Sequence, residues 1–506
     1  MNAPLRRVGV VALVLFAMLF VNLNYRQVVK ADDYRNNAHN GRVQTSEYER
    51  ARGKIINFQG IAVADAQATG DSLKYLRTYP LKDEYAHVLG FKPVNLGATN
   101  LEKLNNDFLT GQSDKQAADR IAGLFTGKEP AGGNVLLTLS KSAQDTAYNQ
   151  LGSNKLKVKS GAVVALDPST GAILAEVSLP SYDPNLLSTH DINAASTNYL
   201  TLNKDPLKPL LNRATSEIYP PGSTFKIITS AAALTADSSL TPDSTVQGGE
   251  FYQPPQTSSF RIKNAHEGIC PDSITLKQAL TVSCNTVFAR IGVERVGADK
   301  LKSMAQAFGF ESEPRLIEDQ DRNYCGIVAS HTGPMTTGEN KVVDPPAVAQ
   351  SSIGQREVKM SPLQAAMIAA TVANGGVEMR PYVVDRLQNA DLSNADRTSS
   401  KELRRPISGD VASKLQEMMF SVVTANDGTG KSARISGLQV GGKTGTAEDG
   451  EEADDHGWFI GFALKDGKPI ISVAVFLENA GKGGSGEAAR IAGQVMKAYA
   501  DEKGIK

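Results

Sequence analysis

The chain has 506 residues, and its 54 basic and 54 acidic side chains give a formal net charge of zero. A nucleic-acid-binding protein normally carries a basic excess, so this balance argues against that class of partner. Apolar residues make up 41% and charged residues 21%, which is typical of folded globular domains. Three scattered cysteines are too few for a disulfide scaffold or a four-cysteine zinc site, and the six histidines show no paired ligand spacing. We therefore expect neither a metal nor another cofactor.

The amino terminus carries a membrane-targeting segment. Arg6 and Arg7 precede an uncharged, apolar run over residues 8–23, close to the roughly 17–25 residues that a spanning helix needs. Such a run is either a cleaved signal peptide or a retained anchor. The run is not followed by the small residues of a cleavage site, which favours an anchor at 8–25 after a cytoplasmic tail at 1–7. We therefore expect a single-pass protein of the cell membrane, with an extracytoplasmic remainder.

The exported part begins with a polar stretch and a small mixed module. Residues 26–50 are polar and charged, as is typical of a stalk. Short apolar runs and a helix-like stretch between about 55 and 128 predict a small α+β module. Residues 132–152 predict a strand, a turn and a helix. The turn Asp167–Gly171 lies between two apolar runs rich in β-branched residues and predicts a hairpin.

From this hairpin to the carboxyl end, helices and strands alternate. Residues 362–376 predict a helix that is stopped by two glycines. Two apolar runs within 456–477 predict two strands around a turn at Lys465–Lys468. The pattern as a whole predicts an α+β fold.

The first chemical signal is the segment Tyr219–Lys226, YPPGSTFK, which precedes an apolar helix-like run. Pro-Pro-Gly interrupts regular secondary structure, so we expect the helix to begin at or just before Ser223. Ser223 and Lys226 would then be neighbours on one helical face. A serine hydroxyl is a weak nucleophile until a base removes its proton, and a buried lysine can be that base because desolvation lowers its pKa. Alone, Ser-x-x-Lys is a weak motif, since an ordinary helix start can contain it by chance.

Two further motifs follow in a fixed order. Thr281–Asn285 contains a Ser-x-Asn with Cys284 in the middle, and Gly441–Glu448 contains a Lys-Thr-Gly where we expect a strand to begin. The order Ser-x-x-Lys, Ser-x-Asn, Lys-Thr-Gly is the signature of penicillin-recognising serine enzymes. The chain also contains a second Ser-x-Asn at 196–198 and a Lys-Ser-Gly at 159–161. Both precede the Ser-x-x-Lys motif, so neither fits the order.

With their flanking residues, these motifs resemble the transpeptidase domain of class B penicillin-binding proteins. The resemblance is carried by ALDPSTGAILAEVSLPSYDPN, PLLNRA, YPPGSTFK, SIGQREVKMSPLQAAMIAATVANGG, GGKTGTAE and HGWFIGFA. Upstream, RGKI and LRTYP…YAHVLGF resemble the amino-terminal pedestal of the same family, in the penicillin-binding protein A type of actinobacteria. Arg356 departs from many relatives, which have glycine there. The resemblance implies a β-lactamase-like antiparallel sheet flanked by helices at 158–500, after a pedestal or dimerisation-like domain at 26–157 and one membrane anchor.

The resemblance also implies a role for each matching residue. Ser223 would be the acylated nucleophile, Lys226 its general base, and Ser283 the group that passes a proton to the leaving amine. The backbone N–H groups of Ser223 and Thr446 would form the oxyanion hole. Asn285 would hold the stem-peptide amide, and the Lys-Thr-Gly-Thr segment would bind the terminal D-alanine carboxylate. The substrate-binding residues would be Asn285, Lys443, Thr444, Gly445 and Thr446.

The implied function is that of a membrane-anchored D,D-transpeptidase, which crosslinks peptidoglycan stem peptides through a serine acyl-enzyme and is acylated by β-lactam antibiotics. A membrane glycan polymerase of the elongation or division machinery is the implied partner. Rival functions on the same site are a D,D-carboxypeptidase, a β-lactamase, and a non-catalytic β-lactam sensor or scaffold. A lactamase would need a deacylation glutamate, for which no motif stands out, and a sensor would need a cytoplasmic output region.

Two further features have competing interpretations. Ala425–Ser432 is a near-miss P-loop, but the residues before it predict a helix rather than the buried strand that a P-loop needs. In an oxidising compartment the three cysteines allow three single pairings. Pairing of Cys270 with Cys284 is favoured because the enclosed loop is short, and the alternative is three free thiols.

Overall fold

The structure is a computed structural model, which describes residues 3–30, 34, 47–48, 50–94, 97–117, 131–312, 328–447 and 454–505. Within these residues one helical segment, Arg6–Val29, is long and apolar enough to cross a membrane. Its side chains do not pack against the rest of the chain. This segment matches the predicted anchor in type, although the helix already begins at Ala3.

The helices of the described residues are α1 (Ala3–Asn24), α2 (Ala86–Leu89), α3 (Asn100–Leu104), α4 (Asn106–Leu109), α5 (Lys141–Gly152), α6 (Ile192–Lys204), α7 (Lys226–Ala236), α8 (Leu276–Thr281), α9 (Asn285–Arg290), α10 (Ala298–Ala307), α11 (Pro345–Ser351), α12 (Pro362–Ala373), α13 (Gly409–Thr424) and α14 (Gly484–Glu502).

The strands are β1 (Ile55–Ile56), β2 (Ala62–Ala68), β3 (Tyr75–Thr78), β4 (Asn134–Leu137), β5 (Gly161–Leu166), β6 (Ile173–Leu179), β7 (Thr245–Gln247), β8 (Phe251–Tyr252), β9 (Ile262–Lys263), β10 (Ser273–Thr275), β11 (Thr336–Thr337), β12 (Val342–Val343), β13 (Glu378–Met379), β14 (Val384–Gln388), β15 (Asn394–Arg397), β16 (Glu402–Arg404), β17 (Gln439–Ala447), β18 (His456–Lys465) and β19 (Lys468–Leu477).

The catalytic-domain candidate is built on a five-stranded antiparallel sheet in the order β17-β18-β19-β5-β6. Helix α14 packs against β18 and β19, and α12 packs against β18, β19 and β5. Helix α12 is buried along its whole length, because its residues are almost all apolar or small. The predicted fold, an antiparallel sheet flanked by helices, is confirmed.

Several elements lie where their sequence pattern predicts them. The hairpin around Asp167–Gly171 is β5–β6, and Gly171 has the positive φ of +83° that its turn requires. Helix α12 ends before Gly375 and Gly376, both of which also have positive φ. The two predicted carboxyl-terminal strands are β18 and β19. Each of these segments combines an apolar periodicity with an explicit turn signal.

The amino-terminal module contains a six-stranded sheet in the order β15-β14-β4-β1-β2-β3. Strands β14 and β15 come from residues 384–397, far along the chain, and β14 pairs with β4. The helix-like stretch predicted near residue 100 is shorter than expected, because it forms only α3 and α4. Its second part, residues 118–130, lies outside the described residues.

A buried group of charges holds this module together. The Glu102 carboxylate is fully buried and accepts from Arg52 Nε at 2.7 Å and from Arg77 Nε at 2.6 Å. Burial disfavours its ionisation, but the two guanidinium groups outweigh burial and hold the pKa of Glu102 below its ordinary value. The predicted stalk over 26–50 is wrong at its end, because Tyr48 is buried and Glu47 pairs with a lysine of the module.

Candidate active site

The candidate nucleophile lies in a helical turn that leads into α7. Gly222–Phe225 is a turn of 3-10 helix, and the α-helix begins at Lys226. The predicted start of the α-helix at or before Ser223 is therefore three residues early. Gly222 has a φ of +52° and donates its N–H to the carbonyl of Gly354 at 2.9 Å. In this conformation the half-buried Ser223 lies in the first turn of the helical segment, and the buried Lys226 follows one turn later.

The backbone of this turn is in close contact with strand β17. A Cβ atom on Gly222 would lie 2.2 Å from the carbonyl oxygen of Thr446, and one on Gly445 would lie 2.7 Å from that of Pro221. Only glycine fits at such distances. The structure therefore brings the backbones of Ser223 and Thr446 together. The Lys-Thr-Gly segment lies in the middle of β17 rather than at its start, since β17 already pairs with β18 from Gln439 onward.

The Ser-x-Asn motif forms the link between α8 and α9. Ser283 has a φ of +63°, which a residue with a Cβ adopts at a cost of about 1 kcal/mol or more. Asn285 is the first residue of α9 and donates its side-chain amide to the carbonyl of Lys263 at 2.9 Å. The Asn264 side chain accepts from the backbone N–H of Asn285 at 2.9 Å. These contacts hold the motif in a strained conformation, in which Ser283 lies within hydrogen-bond distance of Lys226.

Two fully buried lysines converge on the Ser283 hydroxyl. Lys226 Nζ donates to the Ser283 carbonyl at 2.7 Å, to Ser283 Oγ at 3.2 Å and to Asn285 Oδ1 at 2.7 Å. Lys443 Nζ donates to the same Ser283 Oγ at 2.9 Å and to the Thr444 carbonyl at 2.8 Å. The structure thus brings together residues from all three sequence motifs. Ser223 Oγ is not among the three acceptors of Lys226 Nζ.

Burial changes the charge state that these lysines prefer. Burial, with a smaller contribution from the charge of Lys443, holds the pKa of Lys226 well below its ordinary value of 10.5. Burial lowers the pKa of Lys443 to about 7. No carboxylate is among the causes of either shift. The ammonium forms of the two lysines therefore have no attraction to a negative charge that would offset the cost of their desolvation. Near neutral pH the pair can therefore hold one neutral amine, which can accept a proton, and one cation.

A disulfide bond braces the Ser-x-Asn motif. Cys270 and Cys284 are paired, with their Cα atoms 5.8 Å apart. Cys284 lies between Ser283 and Asn285, so the bond attaches the motif to the loop that precedes β10. Cys325 and Glu448 lie outside the described residues.

The structure adds contacts that the motifs do not predict. Thr444 Oγ1 donates to Thr429 Oγ1 at 2.7 Å, and Thr429 belongs to the segment whose sequence resembles a P-loop. The prediction of a helix before that segment is confirmed by α13. Arg356 has a φ of +65° and pairs with Asp344 at 3.1 Å. No sequence signal predicts the role of Asn264, because its contact depends on the fold of a distant loop.

Among the described residues no group of three or more His, Cys, Asp or Glu side chains could hold a metal ion.

The arrangement has the parts of a serine acyl-transfer site: a hydroxyl at a helical turn, a buried amine beside it and a second cation. This is the class of penicillin-recognising serine enzymes. Residues 161–497 match the family described as the penicillin-binding protein transpeptidase domain, and residues 52–135 match the penicillin-binding protein A dimerisation domain. The chain therefore belongs to the penicillin-binding protein transpeptidase family, and it is a serine-type transpeptidase.

Individual relatives resemble the chain over nearly its whole length. The peptidoglycan D,D-transpeptidase PbpA of Mycolicibacterium smegmatis is 41% identical over 486 residues, which cover 95% of this chain and 94% of the relative. The PbpA of Mycobacterium tuberculosis is 40% identical over 484 residues, with the same coverage. The structure is similar to that of Mycobacterium tuberculosis penicillin-binding protein A in its imipenem acyl-enzyme complex, with a TM-score of 0.81 and 38% identity over 90% of this chain and 99% of the other.

Proposed function

We propose that this chain is a membrane-anchored D,D-transpeptidase that crosslinks peptidoglycan stem peptides through an acyl-enzyme on Ser223. The observation that carries this proposal is the convergence of Lys226 and Lys443 on Ser283 Oγ beside the Ser223 turn. That geometry supplies a base, a proton path and a cation for a substrate carboxylate in one place.

In the acylation step, Ser223 Oγ attacks the carbonyl carbon of the penultimate D-alanine, and its proton passes to Lys226 Nζ. A neutral amine has two N–H bonds, so one of the three contacts of Lys226 gives way to a lone pair that takes this proton. The backbone N–H groups of Ser223 and Thr446 stabilise the oxyanion, which the close approach of Gly222 to β17 supports. The carbon–nitrogen bond then breaks, Ser283 gives its proton to the leaving amine of D-alanine, and Lys226 Nζ returns a proton to Ser283 Oγ and becomes neutral again.

In the second step, an amine of a neighbouring stem peptide attacks the ester carbonyl. The ester carbon–oxygen bond breaks, a new amide bond forms, and the proton released by the amine returns through Lys226 to Ser223 Oγ. Asn285, at the start of α9, holds the amide of the donor peptide. Lys443, together with Thr446 of β17, binds the terminal carboxylate. A β-lactam follows the first step, because its ring carbonyl replaces that of the D-alanine.

Covalent labelling by a fluorescent penicillin tests the nucleophile. The full-length chain in detergent should be labelled, and Ser223→Ala should abolish labelling while leaving the melting temperature unchanged. Ser196→Ala is a matched control, because Ser196 belongs to the misplaced Ser-x-Asn and lies exposed on α6. Lys226→Ala should slow acylation by about two to four orders of magnitude, the usual contribution of a general base. Labelling that persists in Ser223→Ala would refute the assignment.

A stem-peptide mimic with an acceptor amine separates the rival functions. Aminolysis product supports the transpeptidase, and hydrolysis alone supports a D,D-carboxypeptidase. Rapid turnover of penicillin supports a β-lactamase. Stable labelling without either product supports a sensor or scaffold.

We place the catalytic domain outside the cell membrane, with a single anchor at 8–25 and a tail at 1–7. We assign residues 26–157 to a pedestal and 158–500 to the transpeptidase domain, and the two family matches fall inside these ranges. We further propose a membrane glycan polymerase as the partner, since the pedestal follows directly after the anchor. The anchored chain should co-purify with a co-expressed polymerase, and a chain carrying an unrelated anchor and lacking the pedestal should not.

A further inference from the structure

The segment Ala425–Gly430 joins two motif-bearing elements of the candidate site. On one side, the N–H of Thr429 donates to the carbonyl of Thr281 at 3.4 Å, and Asp427 accepts from Gln278 at 2.5 Å, so the segment contacts α8 just before the Ser-x-Asn motif. On the other side, Thr429 contacts the Lys-Thr-Gly strand through Thr444.

Glycines fix this segment against the end of α13. Gly430 donates its N–H to the carbonyl of Val422 at 3.0 Å, and a Cβ on Gly428 would lie 2.4 Å from the same carbonyl oxygen. Because Thr429 lies between these two glycines, its backbone has little freedom to move. Its side chain is nevertheless exposed, whereas that of Thr444 is 5% exposed.

The direction of the hydroxyl contact leaves Thr429, rather than Thr444, with a proton to donate. Thr444 Oγ1 donates to Thr429 Oγ1 at 2.7 Å. A hydroxyl carries one proton, so that of Thr444 is already engaged. Among the described residues Thr429 Oγ1 has no acceptor of its own, so its proton is available to a ligand that lies beside the Lys-Thr-Gly strand.

We propose that Thr429 contacts the substrate, donating its hydroxyl to the same carboxylate that Lys443 binds. This inference rests on the proposed function, because it concerns the carboxylate of the D-alanine terminus or of a β-lactam. Thr444 then acts as a positioning residue that orients Thr429. The hydroxyl of Thr429 polarises toward the ligand because it accepts from one threonine and donates to an anion.

The test compares a charged and an uncharged ligand on the same variants. Second-order acylation rates are measured on the full-length chain in detergent with benzylpenicillin and with its methyl ester, which lacks the carboxylate charge. Thr429→Val is close to isosteric and removes only the hydroxyl, and Thr429→Ser restores it. Acylation of Thr429→Val by benzylpenicillin should fall about tenfold or more, the usual effect of losing a hydrogen bond to a charged group. Its acylation by the ester should stay within about twofold of the wild type, and Thr429→Ser should match the wild type with both ligands.

Two outcomes would overturn the inference. An equal loss with both ligands would show that Thr429 only supports packing, and unchanged rates with both would show that it makes no contact. If Thr429→Val has a lowered melting temperature, Thr429→Ala at this exposed position replaces it in the comparison. A wild-type chain that benzylpenicillin fails to acylate would instead contradict the proposed function, so the two failures are distinguishable.

Discussion

Replacing Lys443 by methionine should move the pH dependence of acylation toward higher pH. The side chains are similar in volume, so Lys443→Met removes the charge with little change in packing. Lys226 can act as a base only when it is neutral, and the neutral fraction rises as pH rises through its pKa. Burial would still depress the pKa of Lys226 in the variant, but the contribution from the Lys443 charge would be lost.

The size of the shift follows from the geometry at Ser283. The nitrogens of Lys226 and Lys443 lie 3.2 and 2.9 Å from Ser283 Oγ, so they are no more than about 6 Å apart. Two unit charges at about 6 Å repel by about 3 kcal/mol at an effective dielectric constant of about 20, which corresponds to about two pH units. This shift applies where Lys443 is charged, below its pKa of about 7, and a separation shorter than the upper limit would enlarge it.

The assay is the second-order rate of labelling by a fluorescent penicillin from about pH 5 to about pH 10. In the wild type the rate should rise along an acidic limb set by Lys226 and fall along a basic limb as Lys443 loses its proton. In Lys443→Met the basic limb should disappear, and the acidic limb should move up by about two pH units. Loss of carboxylate binding lowers the rate at every pH, so the position of the limb is the readout rather than its height.

Thr444→Val is the matched control, since it alters the neighbouring side chain and leaves both charges in place. It should lower the rate without moving either limb. An acidic limb at the same pH in Lys443→Met and in the wild type would refute the coupling between the two lysines. The base would then owe its depressed pKa to burial alone.

Two further predictions concern stability and backbone geometry. Glu102→Gln leaves two arginines buried without a counter-charge, and should lower the free energy of unfolding by about 3–5 kcal/mol in chemical denaturation. Asp65→Asn breaks an exposed ion pair and should cost less than about 1 kcal/mol, so equal losses would contradict the argument. Gly222→Ala would place a Cβ 2.2 Å from a carbonyl oxygen of β17, and the displaced turn should slow penicillin labelling about a hundredfold. Gly70→Ala, whose Cβ would meet nothing within 4 Å, should label at the wild-type rate.

The parts of the fold that the sequence predicts correctly are those in which local signals agree. Helix α12 combines an apolar run with Pro362 at the first helical position and two glycines just after its end. The β18–β19 hairpin combines two apolar runs with a turn at Asp466 and Gly467, both of which have positive φ. The pedestal sheet is different, because β14 joins β4 across about half of the chain. No local pattern encodes such a pairing.

The candidate site, too, is predicted from the sequence only in part. The three motifs contain Ser223, Lys226, Ser283 and Lys443, but their spacing along the chain does not show that both lysines donate to one hydroxyl. Thr429 is absent from the motifs because its contact exists only once α13 has packed against β17. The motifs therefore predict the chemistry, and the helix packing determines which additional side chains take part in it.

The burial of Lys443 shows why a net charge of zero says nothing about this site. A pKa of about 7 instead of 10.5 means that the charged form costs about 5 kcal/mol in the folded chain, comparable with the whole stability of a small domain. Because the folded pKa is the lower one, the unfolded chain binds more protons between about pH 7 and 10.5, and stability rises with pH across that window. Below pH 7 the full cost remains. The charged form of Lys443 therefore opposes folding at neutral and acidic pH. It is held in place by its hydrogen bonds to the Ser283 hydroxyl and the Thr444 carbonyl. The balance of 54 basic and 54 acidic residues counts buried and exposed side chains alike, whereas the proposed chemistry depends on two lysines that burial has removed from solvent.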